Sequence, residues 1–248
     1  MNPIKRVLGH LYFVYALLVF FITMLPVLFI VLIALACQEP TRAKIIHPTY
    51  RIWMEVYLHL IFCHVKRSGT QFFQNGQNYV VVLNHNSLAD IPVSTPWIPG
   101  PNKTLAKIEM AKIPLFGLIY RAGSILLDRK NEKSRMESTH KMKETLEMGI
   151  HLALFPEGTR NKTDKPLQTF QDGAFMTAIL VQKPIMPAVL SGTKDLLPNK
   201  PTAWAWPQLL KIEFLPPFDT KGLEQKDRKA LKQEVFEAME AHILQQKH

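Results

Sequence analysis

A histidine followed by an aspartate forms the pair of residues in this chain best suited to proton transfer. His85 and Asp90 lie in the segment 84–90 (NHNSLAD), directly after the apolar run 79–83. Histidine is the side chain whose ordinary pKa suits proton transfer near neutral pH. If a helix begins near Ser87, Asp90 lies about one and a half turns beyond His85 and can reach its second ring nitrogen. Such a contact fixes the tautomer and stabilises the imidazolium, so His85 is a candidate general base.

The same segment also has a simpler interpretation. Asn84, Ser87 and Asp90 are residue types that favour turns and helix caps, and His85 could fill the space between them. No serine or cysteine in this segment has the spacing of a catalytic triad. If the segment is catalytic, direct deprotonation of a substrate hydroxyl is therefore the simpler chemistry, and both interpretations stay open on these residues alone.

A second junction follows the apolar run 152–155 and reads Phe-Pro-Glu-Gly-Thr-Arg at 155–160. Glycine permits the close approach of a ligand, and Glu157 beside Arg160 is a pair of charges that can be oriented. The planar fork of an arginine suits bidentate binding of phosphate. An ordinary turn is the alternative, because proline and glycine two positions apart are common in turns.

Two further patches carry charge near the predicted site. The run 124–127 is followed by Asp128 and Arg129. These two residues could belong to the site, or they could form a solvated charge pair at a strand end. Lys107 and Lys112 flank Glu109, and this stretch could form a basic helix at the site or a solvated helix face.

Alternating strand and helix patterns must position these residues. Short apolar runs, which predict strands buried on both faces, occur at 79–83, 124–127, 152–155, 185–190 and 210–214. Helical patterns lie between and after them, at 133–148, 173–182 and 224–246. This alternation predicts an α/β fold with a mostly parallel sheet covered by helices. In such folds functional groups collect where strands end, which is where both junctions lie.

The first 65 residues differ from the rest of the chain. Residues 11–36 contain no charge, and about 20 apolar residues suffice to cross a bilayer. Pro26 predicts a kink or break, and an aromatic-rich stretch at 50–62 suits a membrane interface. Because basic residues flank the first run on both sides, a helical hairpin that dips into one leaflet is favoured over a single span. A cleaved signal peptide fits less well, because the apolar core of a signal peptide is about half as long as the run 11–36.

Composition limits the class of protein further. The chain has 248 residues, a net charge of +10, two cysteines and 47% apolar residues. The apolar content excludes disorder, and two cysteines cannot form a disulfide framework but fit a reduced compartment. The positive charge indicates an anionic partner. A nucleic-acid binder would have basic and aromatic residues clustered together, which this chain does not have. A metal-dependent hydrolase would have more His or carboxylate ligands near His85 and Asp90. A membrane-anchored scaffold without catalysis would not need His85, Glu157 and Arg160 at strand ends.

Four motifs that follow one another along the chain narrow the choice among these classes of protein. They are Asn-His-x-Ser-x-x-Asp (84–90), Gly-x-Ile-x-x-Asp-Arg (123–129), Phe-Pro-Glu-Gly-Thr-Arg (155–160) and Pro-Ile-x-Pro (184–187). Together they make the sequence resemble the membrane glycerolipid acyltransferases, most closely the 1-acyl-sn-glycerol-3-phosphate acyltransferase family. The motifs cover residues 84–187, and an N-terminal membrane segment is also usual in that family.

The resemblance implies a reaction and a set of roles. His85 would be the general base on the hydroxyl of lysophosphatidic acid, and Asp90 its orienter. The phosphate and glycerol would be held by Lys107, Arg129, Glu157, Gly158, Thr159 and Arg160. The co-substrate would be an acyl thioester of coenzyme A or acyl carrier protein, with no cofactor, no metal and no nucleic acid, and the product would be phosphatidic acid. We expect a membrane anchor at 1–65 and a catalytic domain at 66–248 on the cytoplasmic face, in contact with membrane lipids.

One departure from the family pattern concerns the acceptor. The family often has a basic Phe-Lys-x-Gly stretch after the third motif, where this chain has Phe170-Gln171-Asp172-Gly173. Loss of the cation and the presence of Asp172 favour, as an alternative, a different lysophospholipid or an acceptor without phosphate.

Overall fold

The fold is a central sheet with helices on both faces, and the computed structural model describes residues 3–128, 130–199 and 203–246. The strands are β1 (His64–Ser68), β2 (Val80–Leu83), β3 (Asn102–Lys107), β4 (Ser124–Leu127), β5 (His151–Leu154), β6 (Ile185–Ser191) and β7 (Leu209–Phe214). The helices are α1 (Pro3–Leu35), α2 (Thr41–Leu60), α3 (Asp90–Ser94), α4 (Phe116–Gly123), α5 (Glu132–Glu147), α6 (Gly173–Leu180), α7 (Thr193–Leu196) and α8 (Arg228–Gln245).

The order of the strands places three of the four motifs at one edge of the sheet. The order is β1-β7-β6-β2-β5-β3-β4, and every neighbouring pair is parallel except β6 and β7. The neighbours β2, β5, β3 and β4 therefore have their carboxyl ends together. The first motif follows β2, the third follows β5, and the second runs through β4 to Asp128 just beyond its carboxyl end. The predicted α/β class with a mostly parallel sheet is confirmed.

Strand β2 shows why the central apolar runs carry no charge. Its alternate residues point to opposite faces of the sheet. Val81 and Leu83 belong to a core shared with α1 and α2, whereas Val80 and Val82 belong to a core shared with α5, α6 and α8. All four side chains are fully buried. A strand covered on both sides has no face on which a polar residue could be solvated.

Helices α1 and α2 form an antiparallel hairpin. Near its open end the Tyr12 hydroxyl donates to the carbonyl of Ile61 at 2.6 Å. Further along, the indole of Trp53 donates to the Thr23 hydroxyl at 3.0 Å, and its ring lies 5.1 Å from that of Phe20. The hairpin is the arrangement that the sequence favours.

The break that Pro26 predicts does not occur, because α1 continues through it. A proline removes one backbone hydrogen bond from a helix. Met24, Val27 and Val31 on the same helix are buried before and after it. This packing holds the helix on both sides of Pro26 against the rest of the protein.

Both ends of the hairpin contact the α/β region. At the beginning of α1, the Lys5 ammonium lies 5.2 Å from the ring centre of Trp206, and the carbonyl of Gly9 accepts a bond from Ala205 at 3.2 Å. At the turn between α1 and α2, the carboxylate of Glu39 accepts a bond from Lys103 in β3 at 2.5 Å. Helix α1, about 50 Å long, therefore lies along one face of the sheet instead of projecting from it.

Several boundaries differ from the sequence expectation. Strands β1 and β3 were not expected, and Lys107 ends β3 instead of lying on a helix; a short 3₁₀ segment, Ile108–Lys112, follows it. Helix α8 begins at Arg228 and not at 224, because Glu224 and Asp227 form a capping box around a 3₁₀ turn that precedes it.

Candidate active site

His85 and Asp90 form a hydrogen-bonded pair in the loop that follows β2. His85 Nδ1 lies 2.7 Å from Asp90 Oδ2. The Asp90 side chain is fully buried, whereas that of His85 is 18% exposed, and the ring of Phe155 packs against the imidazole at 4.4 Å. Asp90 as a carboxylate accepts a bond from Nδ1–H, which leaves the lone pair on Nε2. Because Nδ1 is committed to Asp90, Nε2 is the ring nitrogen available to a substrate.

A tight turn, not a helix, brings the two residues together. Asp90 Oδ2 also accepts the backbone N–H of Asn86 at 2.5 Å and that of Ser87 at 2.7 Å. Helix α3 begins only at Asp90, so the expected helix start near Ser87 is wrong. The carboxylate itself closes the turn, and three hydrogen bonds compensate the burial of its charge.

The other polar residues of this loop attach it to the sheet. Asn84 donates to the carbonyl of Leu190 in β6 at 2.9 Å and accepts the N–H of the same residue at 2.7 Å. The Ser87 hydroxyl donates to the carbonyl of Leu197 at 2.7 Å. Asn84 and Ser87 are therefore structural, as the turn interpretation of this segment expects.

Glu157 holds the backbone of His85. Its Oε1 accepts the N–H of His85 at 2.7 Å, and its Oε2 accepts that of Gln168 at 3.0 Å. Burial raises the pKa of Glu157 to about 7, although the two N–H bonds act in the opposite direction; the nearby charge of Asp90 adds to the rise. The carboxyl group thus fixes His85 in place, and near neutral pH it changes its charge easily.

The turn 158–160 presents an arginine beside this pair. Gly158 has a φ of +73°, which favours glycine, and its N–H donates to the carbonyl of Phe155 at 3.0 Å. The guanidinium of Arg160 donates from Nη1 to Asn199 Oδ1 at 2.8 Å and has no ion-pair partner within the described parts of the chain. The next residue, Asn161, donates its N–H to the carbonyl of His85 at 2.6 Å. Arg160 therefore keeps its positive charge close to the histidine.

A cavity of about 1550 Å³ collects most of the predicted site residues. Six of the eight lie on its wall: His85, Lys107, Glu157, Gly158, Thr159 and Arg160. Asp90 is buried behind His85, and Arg129 lies outside the described residues. Lys162 and Glu109 also line the cavity. The polar part of the wall therefore has three cations, Lys107, Arg160 and Lys162, and two carboxyl groups, Glu109 and Glu157. Because the pKa of Glu157 is raised to about 7, this carboxyl group is partly neutral near neutral pH, and the polar part of the wall suits an anion.

Another part of the cavity wall is apolar and is formed by the hairpin together with α4. This part includes Phe20 of α1, Trp53 and Tyr57 of α2, and Phe116 of α4. The Phe20 ring lies 5.4 Å from that of Tyr57 and 6.2 Å from that of Phe116. A molecule with one anionic end and one hydrocarbon end fits the polarity of this space.

Comparison with known proteins agrees with this geometry. A family model described as Acyltransferase matches residues 64–191, slightly more than half of the chain. The chain belongs to the acyltransferase family. Within that family, the chain is 34% identical over 185 residues to the mouse 1-acyl-sn-glycerol-3-phosphate acyltransferase alpha, covering 74% of this chain and 64% of the relative. A coconut 1-acyl-sn-glycerol-3-phosphate acyltransferase is 33% identical over 160 residues, covering 64% of this chain and 51% of that protein.

A solved structure supports the same placement. The 1-acyl-sn-glycerophosphate acyltransferase PlsC from Thermotoga maritima superimposes with a TM-score of 0.79 at 25% identity, covering 100% of this chain and 98% of that one. The chain spans less than two thirds of the length of the mammalian and plant relatives. The likeness to PlsC covers the hairpin as well as the α/β region.

The departure of this chain from the family pattern involves residues paired on the surface of the same region. Asp172 forms ion pairs with Lys232 at 2.6 Å and Arg228 at 3.2 Å, both on α8, and the first of these lowers its pKa. Gln171 lines the cavity, whereas Asp172 does not. The aspartate therefore adds no unpaired negative charge to the cavity, and the change there is from a basic residue to a neutral amide.

Sequence reasoning missed three polar residues of the site. Asn161, Gln168 and Asn199 hold His85, Glu157 and Arg160 through the contacts described above. Asn161 and Gln168 follow the third motif closely, so proximity to it was the available signal. Asn199 lies 39 residues from Arg160 in a turn-like stretch, and no pattern in the sequence marks it.

Proposed function

We propose that this protein transfers an acyl chain from an acyl thioester to the free hydroxyl of 1-acyl-sn-glycerol-3-phosphate, which gives phosphatidic acid. The observation that carries the proposal is that His85, bonded to Asp90, lies on the wall of one cavity that is lined both by cationic side chains and by apolar side chains of the hairpin. Lysophosphatidic acid has a phosphate, a hydroxyl and a hydrocarbon chain, for which this cavity offers cations, a base and an apolar wall. The names of the relatives support the same acceptor.

The reaction follows from the protonation state of the histidine. His85 Nε2 removes the proton of the acceptor hydroxyl as its oxygen attacks the thioester carbonyl. The negative charge of Asp90 stabilises the imidazolium formed in this step. The tetrahedral intermediate then collapses, the carbon–sulfur bond breaks, and the thiolate takes the proton from His85. The ester remains on the lysolipid, and the histidine returns to its starting state.

The hydroxyl nearest to His85 in the sequence is poorly placed to act as a nucleophile. Ser87 is fully buried, its hydroxyl donates to the carbonyl of Leu197, and the same oxygen accepts the N–H of Ala89 at 3.1 Å. Cys63 is buried in the core between the hairpin and the sheet. Transfer in one step, without an acyl-enzyme, is therefore the mechanism that we propose.

The hairpin is proposed to bind the membrane from one side. Helix α1 is the helix of the described chain that is long and apolar enough to cross a membrane, and only 28% of its most apolar window is buried. Its exposed side chains include Phe21, Ile22, Leu25 and Phe29. Because both ends of the hairpin contact the α/β region, the apolar face lies beside the catalytic domain. We propose that this face enters one leaflet while residues 66–248 stay on the cytoplasmic face.

The remaining partners of the proposed reaction are the acyl donor and an alternative acceptor. The thioester is that of coenzyme A or of acyl carrier protein, and the net charge of +10 suits either anionic donor. We propose that catalysis needs no metal or organic cofactor. The neutral Gln171 keeps another lysophospholipid, or an acceptor without phosphate, as the second candidate substrate.

The experiment that tests the function uses membranes that contain the full chain. A labelled acyl thioester is supplied with a panel of lysolipids, and product formation is compared between wild type and His85→Ala. We expect lysophosphatidic acid to be the preferred acceptor and the variant to lose activity on the order of 10³-fold, because the general base is gone.

His140→Ala is the matched control, since this histidine is exposed on α5. It should retain the activity of wild type. Retained turnover in His85→Ala, or a trapped acyl-enzyme in wild type, would contradict the one-step mechanism. Preference for a lysolipid without a phosphomonoester would contradict the proposed acceptor.

A further inference from the structure

The side chain of Asn199 joins the two loops that carry His85 and Arg160. Its Oδ1 accepts a hydrogen bond from Arg160 Nη1 at 2.8 Å, and its Nδ2 donates to the carbonyl of Asn86. Asn86 directly follows His85, and Asn161, which directly follows Arg160, donates its N–H to the carbonyl of His85. These hydrogen bonds form a closed ring of contacts, which runs from the loop of His85 to Arg160 through Asn199 and back to His85 through Asn161.

From this ring we infer that Asn199 is a positioning residue for acyl transfer. It sets where Arg160 holds the phosphate of the acceptor relative to Nε2 of His85. This inference rests on the proposed function, because it assigns Arg160 to the anionic end of the acceptor. In lysophosphatidic acid the phosphate and the reacting hydroxyl are on neighbouring carbons, so their binding groups need a fixed separation.

An amide suits this role better than a carboxylate does. A guanidinium has five N–H donors, and Asn199 engages one of them without cancelling its charge. An aspartate at the same position would form an ion pair with Arg160 and compete with the phosphate. The structure thus leaves the arginine oriented and still cationic.

The backbone around Asn199 is itself attached to the catalytic loop. The carbonyl of Leu197, two residues earlier, accepts the bond from the Ser87 hydroxyl, and the adjoining strand β6 is tied to Asn84 through Leu190. The segment that carries Asn199 is therefore held against residues 84–87 independently of the asparagine side chain. Removing that side chain should release Arg160 without detaching the segment.

The test is steady-state kinetics of the full chain in mixed micelles, with lysophosphatidic acid and an acyl thioester varied in turn. Asn199→Ala should raise the KM for lysophosphatidic acid roughly 5- to 10-fold, because Arg160 loses its orientation. The KM for the thioester should change less than about 2-fold. Asn199→Asp should raise the acceptor KM further than Asn199→Ala, since it neutralises the arginine.

A double-mutant cycle separates positioning from a merely structural role. In an Arg160→Ala background, which itself raises the acceptor KM, Asn199→Ala should have less than about 2-fold further effect. If the full effect persists in that background, or if Asn199→Ala leaves the acceptor KM unchanged, the inference is overturned. Asp195→Ala, at an exposed position on α7, is the matched control and should behave as wild type.

A variant that does not fold and a wild type without activity each lead to a defined conclusion. If Asn199→Ala does not fold, Asn199→Asp decides alone: an unchanged acceptor KM overturns the inference, and a selective rise supports it. A wild type that acylates no lysophosphatidic acid refutes the proposed acceptor, and the inference with it, before any variant is compared. An active wild type with insensitive Asn199 variants refutes only the positioning role.

Discussion

His85 is fixed at three points, and only one of them involves its ring. The imidazole is bonded to Asp90, the backbone N–H to Glu157 and the carbonyl to Asn161. The sequence predicted the first contact from the spacing of the two residues. It could not predict the other two, because they connect loops that follow different strands and meet only when β2 and β5 pair. Glu157 in particular was expected to bind substrate, and the structure places both of its oxygens on backbone N–H groups.

Substitution of Glu157 distinguishes support of His85 from binding of substrate. In Glu157→Gln the side-chain carbonyl can accept only one of the two N–H bonds, and the amide nitrogen opposes the other N–H group. We expect kcat to fall at least about 10-fold, while the KM for lysophosphatidic acid changes less than about 3-fold. Initial rates in mixed micelles at pH 8, where the wild-type carboxyl group is ionised, provide the measurement.

Glu147→Gln, at an exposed position on α5, controls for the loss of a carboxylate. A large rise in acceptor KM with an unchanged kcat would assign Glu157 to the substrate and argue against the support of His85.

At the scale of elements, the apolar runs found β2, β4, β5, β6 and β7 but not β1 and β3. Strand β3 (NKTLAK) contains two lysines, and no apolar run marks it. Lys103 is nevertheless buried, because it pairs with Glu39 in the turn of the hairpin, 64 residues away. Strand β1 (HVKRS) lies at the edge of the sheet and is mostly exposed, so it needs no apolar pattern. Both strands depend on tertiary contacts that periodicity does not encode.

The hairpin illustrates the same dependence. Composition alone left two arrangements for residues 11–36, a single span and a hairpin in one leaflet. The contacts of Lys5 with Trp206 and of Glu39 with Lys103 place both ends of α1 against one domain. A helix that crossed the bilayer would carry one of these ends about 30 Å away from that domain.

Labelling of single cysteines tests this arrangement. In a Cys37→Ser, Cys63→Ser background, Arg6→Cys and Gln38→Cys place exposed thiols at the two ends of α1. We expect a membrane-impermeant maleimide to label both from the same side of sealed vesicles, the side that the catalytic domain occupies. Glu224→Cys, in the catalytic domain, reports that side. Labelling of the two α1 positions from opposite sides would establish a span and contradict the one-sided attachment.

At the scale of the whole molecule, the residues proposed for catalysis and a buried histidine that affects stability lie at opposite ends of the strands. The proposed catalytic pair, His85 and Asp90, follows the carboxyl end of β2, and the turn 155–160 follows that of β5, whereas His151 lies at the amino end of β5. His151 is 6% exposed, its Nδ1 accepts the N–H of Tyr79 at 3.0 Å, and its ring stacks on that of Tyr79. Burial lowers its pKa from 6.5 to about 4; His47 nearby acts in the same direction, and the carbonyl of Pro99 acts against it. The histidine is therefore held neutral at the end of the sheet opposite the site.

This histidine predicts a loss of stability in acid. Between pH 6.5 and about 4 the unfolded chain binds a proton at His151 that the folded protein does not, so the free energy of unfolding falls as the pH falls through this window. The full difference corresponds to roughly 3 kcal/mol. Glu157 acts oppositely, because its raised pKa makes stability fall as the pH rises from 4.5 to about 7. The wild-type profile alone therefore adds these two opposite contributions to those of other groups, such as His47, whose pKa burial also lowers.

His151→Asn isolates the histidine contribution. The Asn carbonyl oxygen can take the place of Nδ1 as acceptor for the Tyr79 N–H, and it does not titrate. We expect the difference in unfolding free energy, wild type minus variant, to decrease by up to about 3 kcal/mol from pH 7 to pH 4, as followed by denaturant unfolding in mild detergent. His140→Asn, on the exposed face of α5, should run parallel to wild type. Parallel curves for His151→Asn and wild type would mean that His151 is protonated in the folded protein as readily as in the unfolded chain, and the buried neutral histidine would be refuted.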